Sequence, residues 1–281
     1  MSTFFEQIVA ELAAAGIPGP RLETRLLIAA VLKIEPSAVF TDVAPNAAQT
    51  AEIRRLLAQR LQHKPLDKIL GHREFYKFDF LVDENVLSPR ADTEILVEEA
   101  LRLPLAEKAR ILDLGTGSGC IIETLLAEKP AMSGVAVDIS AESLQVAQKN
   151  AEKLGVDKHL QFMQADWFAA DFCERIGEKF DMITANPPYI PTADIATLEP
   201  EVKNYDPPAA LSGGTDGFDS YRRIAVVAPE LLKDGAYILL EAGIGQAAEI
   251  AALFMRQGLK HLRTLADLSG IDRCVVLQKG K

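Results

Sequence analysis

Four consecutive residues, Asn186-Pro187-Pro188-Tyr189, directly follow an apolar strand-like run at 180–185 and could hold a planar NH2 group. Proline fixes φ and has no N–H, so carbonyl oxygens in this turn stay free as acceptors. The Asn186 side-chain oxygen and the Pro187 carbonyl can each accept one hydrogen, while the Tyr189 ring covers the face of the group. We therefore expect all four residues to bind the substrate and carry the chemistry. A plain Pro-rich turn after a strand is the alternative interpretation.

A glycine-rich turn is the second candidate feature, placed between a predicted strand and a predicted helix. The turn consists of Gly115, Thr116, Gly117, Ser118 and Gly119, and its glycines let the backbone approach a ligand closely. Nineteen residues after its last glycine, Asp138 ends the next predicted strand, where a carboxylate can accept both hydroxyls of a ribose. This pairing predicts a nucleoside pocket for either a nicotinamide dinucleotide or S-adenosylmethionine.

Three further residues refine the predicted cofactor site. Asp113, just before the glycines, would repel a pyrophosphate but suits a cation-bearing amino-acid group, directly or through water. It therefore favours S-adenosylmethionine. Asp166 and Trp167 follow the third predicted strand, so Asp166 could accept the adenine amino group and Trp167 could stack on the ring. For Trp167, a half-buried core position is the alternative. Asn186 is also expected to contact the cofactor.

Composition and charge limit the class of protein. The chain has 281 residues, 48% of them hydrophobic, which suffices for one large domain or two. A net charge of −10 opposes a general phosphate-binding surface, so we expect no direct nucleic-acid binding. The three cysteines and four histidines have no metal-ligand spacing, and we expect neither metal nor disulfide. Without a signal peptide or a long apolar run, a cytoplasmic protein that binds no membrane is expected.

The pattern of apolar residues divides the chain into three predicted regions. Residues 1–72 have apolar positions at helical spacing and predict a small all-α bundle, the natural candidate for recognising the substrate. Alternating aromatic residues around an expected turn at 83–85 predict a β-hairpin linker over 73–89. Residues 90–281 alternate between helix and strand, which predicts an α/β, doubly wound sheet of seven strands.

The seven strands are expected near 110–114, 133–138, 160–164, 180–185, 235–241, 260–266 and 273–279. The connection between the last two is too short for a crossover helix, so the last strand should be antiparallel. This ending favours a methyltransferase-like sheet over a dinucleotide fold. Residues 190–217, rich in proline and glycine without a clear period, follow the Asn-Pro-Pro-Tyr run immediately. Because such long connections are uncommon unless functional or disordered, we expect a substrate-facing loop there.

Taken together, Asp-Leu-Gly-Thr-Gly-Ser-Gly at 113–119, Asp138 and Asn-Pro-Pro-Tyr resemble the class I methyltransferases that act on planar amide or exocyclic amino nitrogens. That group includes adenine N6 and protein glutamine enzymes. Additional motifs are similar to the release factor glutamine methyltransferase family over essentially the full length. They are Ile69-Leu70-Gly71, Glu74-Phe75-Tyr76, Val86-Leu87-Ser88-Pro89-Arg90, Thr93-Glu94, Tyr205-Asp206-Pro207, Ala210-Leu211, Gly213-Gly214, Asp216-Gly217 and Tyr221-Arg222.

The resemblance implies methyl transfer from S-adenosylmethionine, leaving S-adenosylhomocysteine, to the glutamine of the Gly-Gly-Gln motif in class 1 peptide chain release factors. It implies a role in translation termination and no metal, and we expect a monomer. The sequence departs from the family pattern at Lys68, Ser88, Ala91, Asp92 and Ala242, none of which is a proposed ligand. These departures concern the backbone after Arg90 and the packing beneath the cofactor.

Three competing functions remain open from the residues themselves. The first is an adenine amino methyltransferase, which could use the same four residues on a flipped or single-stranded base. The second is a non-catalytic cofactor-binding module, and the third is a nicotinamide oxidoreductase. Arg90 and Glu94 either shape the mouth of the site or form a structural ion pair, and no chemistry is assigned to them.

Overall fold

The computed structural model describes residues 3–281, within which there are twelve α-helices and nine β-strands. The helices are α1 Phe4–Ala14, α2 Pro20–Leu32, α3 Ala47–Arg60, α4 Leu66–Leu70, α5 Glu94–Arg102, α6 Cys120–Glu128, α7 Ala141–Leu154, α8 Phe172–Ile176, α9 Pro200–Lys203, α10 Pro208–Leu211, α11 Asp219–Leu231 and α12 Ala247–Arg256. The strands are β1 His72–Phe75, β2 Phe78–Leu81, β3 Arg110–Leu114, β4 Ser133–Asp138, β5 Leu160–Gln164, β6 Phe180–Ala185, β7 Leu232–Glu241, β8 Leu259–Ala266 and β9 Asp272–Lys279.

The first compact unit consists of residues 3–72 together with the segment 199–205. Its helices bury apolar residues at three- and four-residue spacing, such as Phe5, Ile8 and Leu12 on α1. Helix α3 begins with a capping box, in which the Asn46 side chain accepts from the Gln49 N–H and the Gln49 side chain accepts from the Asn46 N–H. The helical N-terminal region predicted from the sequence is therefore confirmed.

A buried arginine connects the segment 199–205 to the helices of this first unit. Arg60, at the end of α3 and 1% exposed, donates to both carboxylate oxygens of Glu23 at 2.5 and 3.0 Å. It also donates to Glu201 at 2.6 Å. Nearby, Lys68 donates to the Tyr205 carbonyl oxygen at 2.5 Å. The unit is thus assembled from two stretches of chain that are far apart in sequence.

The second unit consists of residues 73–198 and 206–281 and contains the seven-stranded sheet. Its strand order is β5-β4-β3-β6-β7-β9-β8, and the pairs from β5 to β7 are parallel. Strand β9 is antiparallel to both β7 and β8, as predicted for the last strand. Alternate residues of the central strands enter different apolar clusters, for example Leu112 and Ile111, because successive side chains point to opposite faces.

The β-hairpin is present, but the predicted turn was wrong. Strands β1 and β2 form a two-stranded sheet and are joined at Tyr76 and Lys77, not at residues 83–85. Tyr76 adopts a left-handed φ of 57°, which glycine or asparagine would normally signal in a sequence. The segment that carries turn-forming residues instead makes a local turn after β2, where Asp83 accepts from the Asn85 N–H at 2.8 Å.

Short helical pieces, including α9 and α10, interrupt residues 190–217, which the sequence left without a clear period. Between residues 3 and 281, no helix combines the length and the apolar character needed to span a membrane.

Candidate active site

The carboxyl ends of four neighbouring parallel strands meet at one edge of the sheet. Register aligns the end of β3 with both neighbours, pairing Leu114 with Val137 of β4 and with Ala185 of β6. Ala185 is in turn paired with Leu240 of β7. The residues that follow, among them Gly115, Asp138, Asn186 and Glu241, therefore lie at one level. In an open α/β sheet this edge, at the point where strand order reverses, is where ligands bind.

A cavity of about 710 Å3 occupies this edge of the second unit. Most predicted site residues line it: Gly115, Thr116, Gly117, Ser118, Asp138, Asp166, Trp167, Asn186 and Pro188. Asp113, Gly119, Pro187 and Tyr189 are not in the cavity wall. The structure thus brings the glycine-rich turn, the predicted ribose carboxylate and the Asn-Pro-Pro-Tyr turn to one space.

The glycine-rich turn packs closely against an aromatic ring. Gly115 has a φ of 73°, and its N–H and that of Thr116 both donate to the Val137 carbonyl at 2.9 Å. A Cβ on Gly115 would lie 3.2 Å from the Trp167 ring. Both the left-handed backbone and the close ring favour glycine at this position. Trp167 also packs against the apolar core, so its two predicted environments, cavity and core, occur together.

Asp138 is held by backbone N–H groups at the end of β4. Its two carboxylate oxygens accept from the Gly117 and Ser140 N–H groups, each at 2.9 Å. Burial raises the pKa of Asp138, and these hydrogen bonds oppose that shift. Because each carboxylate oxygen has a second lone pair, the group can still accept hydroxyls from the cavity. Asp166 is held similarly, with one oxygen accepting from the Phe168 N–H at 2.8 Å.

Asp113 is buried behind the glycine-rich turn and is 1% exposed. Its oxygens accept from the hydroxyls of Thr116 and Thr184, both at 2.7 Å. Burial raises its pKa to about 6 despite these two bonds. Thr116 lines the cavity and Asp113 does not, so the Thr116 hydroxyl connects the buried carboxylate to the cavity wall.

The Asn186 turn forms hydrogen bonds with side chains from other parts of the chain, and the sequence did not predict these bonds. The Asn186 Nδ2 atom donates to the Thr93 hydroxyl at 3.4 Å, and this hydroxyl donates to Glu241 at 2.6 Å. The Tyr189 carbonyl accepts from the Gln246 side chain at 3.0 Å. Burial raises the pKa of Tyr189 to about 12, so its hydroxyl stays protonated at neutral pH. The sequence signals for these partners were the place of Thr93 in one of the family motifs and the position of Glu241 at the end of a strand.

The segment after Tyr189 returns to the site, where backbone hydrogen bonds join its two ends. The Ile190 N–H donates to the Leu211 carbonyl at 3.0 Å, and the Gly213 N–H donates to the Ile190 carbonyl at 2.9 Å. The Thr192 N–H donates to Gly214 at 2.8 Å. The two ends of the predicted loop thus lie side by side next to the cavity.

Arg90 and Glu94 have separate partners in the second unit. Arg90, which lines the cavity, forms an ion pair with buried Asp206 at 3.0 Å. Glu94 accepts from the Tyr76 N–H at 2.9 Å. Arg90 and Glu94 therefore do not pair with each other: Arg90 combines an ion pair to Asp206 with a place in the cavity wall, whereas Glu94 has a backbone partner and lies outside that wall.

Comparison with known proteins identifies both parts of the chain. Residues 4–71 match the family model described as PrmC N-terminal domain, and residues 105–254 match a methyltransferase domain model. A ribosomal protein L11 methylase from Lactobacillus delbrueckii subsp. bulgaricus has a similar fold, with a TM-score of 0.52 and 16% identity, over 71% of this chain and 84% of that one.

Curated relatives cover almost the whole chain. The release factor glutamine methyltransferase of Rhodospirillum rubrum is 43% identical over 95% of this chain and 82% of its own length. The enzyme of the same name from Geobacter sulfurreducens is 43% identical over 94% of this chain and 91% of its own length. At this identity and coverage, the chain belongs to the release factor glutamine methyltransferase family.

Proposed function

We propose that this protein transfers a methyl group from S-adenosylmethionine to the side-chain amide nitrogen of the glutamine in the Gly-Gly-Gln motif of class 1 peptide chain release factors, and so affects translation termination. The observation that carries the proposal is the meeting of the glycine-rich turn and the Asn186 turn at neighbouring strand ends of one cavity. One turn suits a nucleoside cofactor and the other a planar NH2 group. A methyltransferase domain match and the names of the relatives agree with this reaction.

The cavity wall suits a nucleoside cofactor rich in acceptor atoms. Among residues 3–281, the Trp167 Nε1 atom and the Ser88 hydroxyl are buried in this wall without a hydrogen-bond partner. Buried donors in native proteins are normally satisfied, so a ligand that accepts from them fits the site. We assign the ribose hydroxyls to Asp138 and the adenine to Asp166 and Trp167. The backbone of Gly115 to Gly119 approaches the ligand, and Asp113 acts through Thr116 or water.

When bound, S-adenosylmethionine supplies an electrophilic methyl group on a sulfonium, and S-adenosylhomocysteine remains after transfer. The protein's contribution is to hold the acceptor nitrogen. The Asn186 Oδ1 atom and the Pro187 carbonyl accept the two hydrogens of the target amide, with Pro188 and Tyr189 completing the binding surface. Amide nitrogen is a weak nucleophile, and accepting its hydrogens raises its electron density and orients it. The methylated amide then loses a proton to water or a carboxylate.

The glutamine is favoured over adenine by the surroundings of the Asn186 turn. The net charge of −10 opposes nucleic-acid binding, and the N-terminal helical region matches a domain found in this family. We assign residues 1–72 to substrate recognition, 73–89 to a β-hairpin linker and 90–281 to methyl transfer. We further propose a monomer that works in the cytoplasm without metal, membrane or direct nucleic-acid binding.

One labelling experiment tests the proposal. The protein is incubated with isotopically labelled S-adenosylmethionine and a purified class 1 release factor, and mass spectrometry locates the label. A release factor with the Gly-Gly-Gln glutamine replaced by alanine is the matched control, with DNA and RNA as competing substrates. We expect label on that glutamine alone. Label on adenine, or on the control factor, would contradict the proposed substrate.

A further inference from the structure

The carboxylate of Glu241 lies beside the Asn186 turn. Because Ala185 of β6 is paired in parallel with Leu240 of β7, the next residues, Asn186 and Glu241, are neighbours at the sheet edge. Glu241 is 3% exposed and does not line the cavity, whereas Asn186 does. A buried carboxylate at this place needs an explanation, because an ionised group is costly to remove from water unless it is hydrogen-bonded.

Thr93 connects these two side chains. Its hydroxyl, 2% exposed, lies 2.6 Å from Glu241 Oε2 and 3.4 Å from Asn186 Nδ2. The Asn186 side chain also opposes the rise that burial causes in the pKa of Glu241, so the two groups interact. The three side chains come from a turn before α5, the end of β6 and the end of β7. They form a small buried network directly behind the proposed amide-binding position.

The donor and the acceptor of each hydrogen bond in this network can be assigned, because the three side chains differ in what they can donate. An ionised carboxylate can only accept hydrogen bonds, so the Thr93 hydroxyl donates its one hydrogen bond to Glu241. Thr93 is then left as an acceptor toward Asn186, whose NH2 group must face it. This arrangement leaves the Asn186 Oδ1 atom for the cavity. A neutral Glu241 could donate to Thr93, and Thr93 could then donate to Oδ1, which would allow the reverse amide orientation.

We propose that Glu241 is a positioning residue that acts through Thr93 to keep the Asn186 amide oxygen directed at the target nitrogen. The inference rests on the proposed function, since it specifies how that site is oriented. The reverse orientation would present an NH2 group to the substrate NH2 group, so two donors would meet. Correct orientation of this one amide is therefore needed for the target nitrogen to be held.

Several charged or titratable groups face Glu241 and set its protonation. Burial raises its pKa to about 7, and Thr93, Arg273 and Asn186 oppose this shift. The groups that interact electrostatically with it are Asp92, Arg273, Tyr189, Tyr221, Cys120 and Cys274. Arg273 is itself shared with Asp267 and Asp92 at 3.1 and 3.2 Å. The ionised form that orients Asn186 should therefore be lost as pH falls through about 7.

The main test compares Glu241→Gln with the matched pair Thr93→Val and Thr93→Ser. Hydrogen-bonding partners that orient a binding group are typically worth about 10- to 100-fold in activity. We expect Glu241→Gln and Thr93→Val each to lower kcat by about that factor, with cofactor affinity unchanged by calorimetry. Thr93→Ser keeps the hydroxyl and should retain most of the activity. The Tyr221 hydroxyl holds the Glu241 backbone carbonyl at 2.7 Å, which favours folding of the Glu241 variant.

Two readouts separate positioning from a merely structural role. Wild-type kcat should fall as pH is lowered through about 7, and Glu241→Gln should lack this decline. In an Asn186→Ala background, Glu241→Gln should cause no further loss, because its effect passes through Asn186.

The outcomes distinguish the two proposals. Absence of label transfer to the release factor by the wild type would reject the proposed function itself. Transfer by the wild type together with normal kcat and an unchanged pH profile in Glu241→Gln would reject the positioning role alone. Equal kcat in Thr93→Val and Thr93→Ser, or multiplicative losses in the double variant, would also reject it.

Discussion

At the scale of single residues, the two strand-end polar groups Asp138 and Asn186 should have separable effects. Asn186→Ala removes one acceptor from the reacting amide, so we expect kcat to fall about 100- to 1000-fold with cofactor affinity nearly unchanged. Asp138→Ala removes a charged acceptor from the cofactor, so its dissociation constant should rise about 10- to 100-fold. Single-turnover kinetics and calorimetry measure the two quantities. Each variant serves as the other's control, and a reversed pattern would exchange their roles.

The sequence predicted Asp138 and Asn186 because Asp138 ends an apolar strand, Asn186 directly follows another, and the carboxyl ends of parallel strands gather at one edge. It could not predict that Thr93 lies between Asn186 and Glu241. Thr93 is 93 residues from Asn186 and 148 from Glu241 in the chain. Strand register brings Asn186 and Glu241 together, but only tertiary packing places Thr93 between them. For Asp113 the residue pattern suggested a cofactor contact, but two hydroxyl neighbours from different elements occupy its oxygens.

At the scale of elements, the backbone hydrogen bonds that join the two ends of the segment 190–217 leave no room for a side chain at Gly213. A Cβ there would lie 2.8 Å from the Pro188 carbonyl oxygen and from Gly217 Cα, both backbone atoms. We therefore expect Gly213→Ala to displace the turn that holds the target amide and to lower kcat by up to about 100-fold. Gly280→Ala, where no atom lies within 4 Å of the added Cβ, is the matched control. Equal kcat in both variants would contradict this prediction.

Most elements followed from periodicity, since the strands from β3 to β6 occupy the predicted ranges. Strand β7 begins at Leu232, three residues earlier than predicted, because it continues directly from α11. The hairpin turn was misplaced because Tyr76 and Lys77 carry no turn signal, whereas the residues at 83–85 do. Local composition predicts where a turn is easy to form, and strand pairing decides where it forms.

At the scale of the whole molecule, stability should depend on the protonation of Glu241. Its pKa rises from about 4.5 to about 7 on folding because it is buried, so the folded state binds the proton more tightly. The unfolding free energy therefore falls as pH rises through this window and levels off above it. Glu241→Gln lacks this contribution. We expect its melting temperature, relative to wild type, to rise between pH 5 and pH 8, and a constant difference would contradict the shift.

The first unit should depend strongly on Arg60. Arg60→Met preserves apolar volume but leaves Glu23 and Glu201, whose side chains are 16% and 32% exposed, without their cation. Because removing one partner of a buried ion pair leaves an uncompensated charge, we expect a loss of about 3 kcal/mol. Hydrogen exchange of amides in α1 to α3 measures it. On the same helix, Arg55→Met removes only an exposed pair with Glu52 and should leave exchange unchanged.

The assembly of the first unit from two distant stretches of chain also has a consequence during synthesis. Its first four helices end at residue 70, whereas Glu201, the second carboxylate on Arg60, follows about 130 residues later. At about 5 to 20 residues per second, this interval lasts roughly 6 to 25 s. During this time the Arg60 guanidinium of the nascent helices has only some of the hydrogen bonds that it forms in the complete unit. Its last contacts therefore form only after the first four strands of the sheet have been translated.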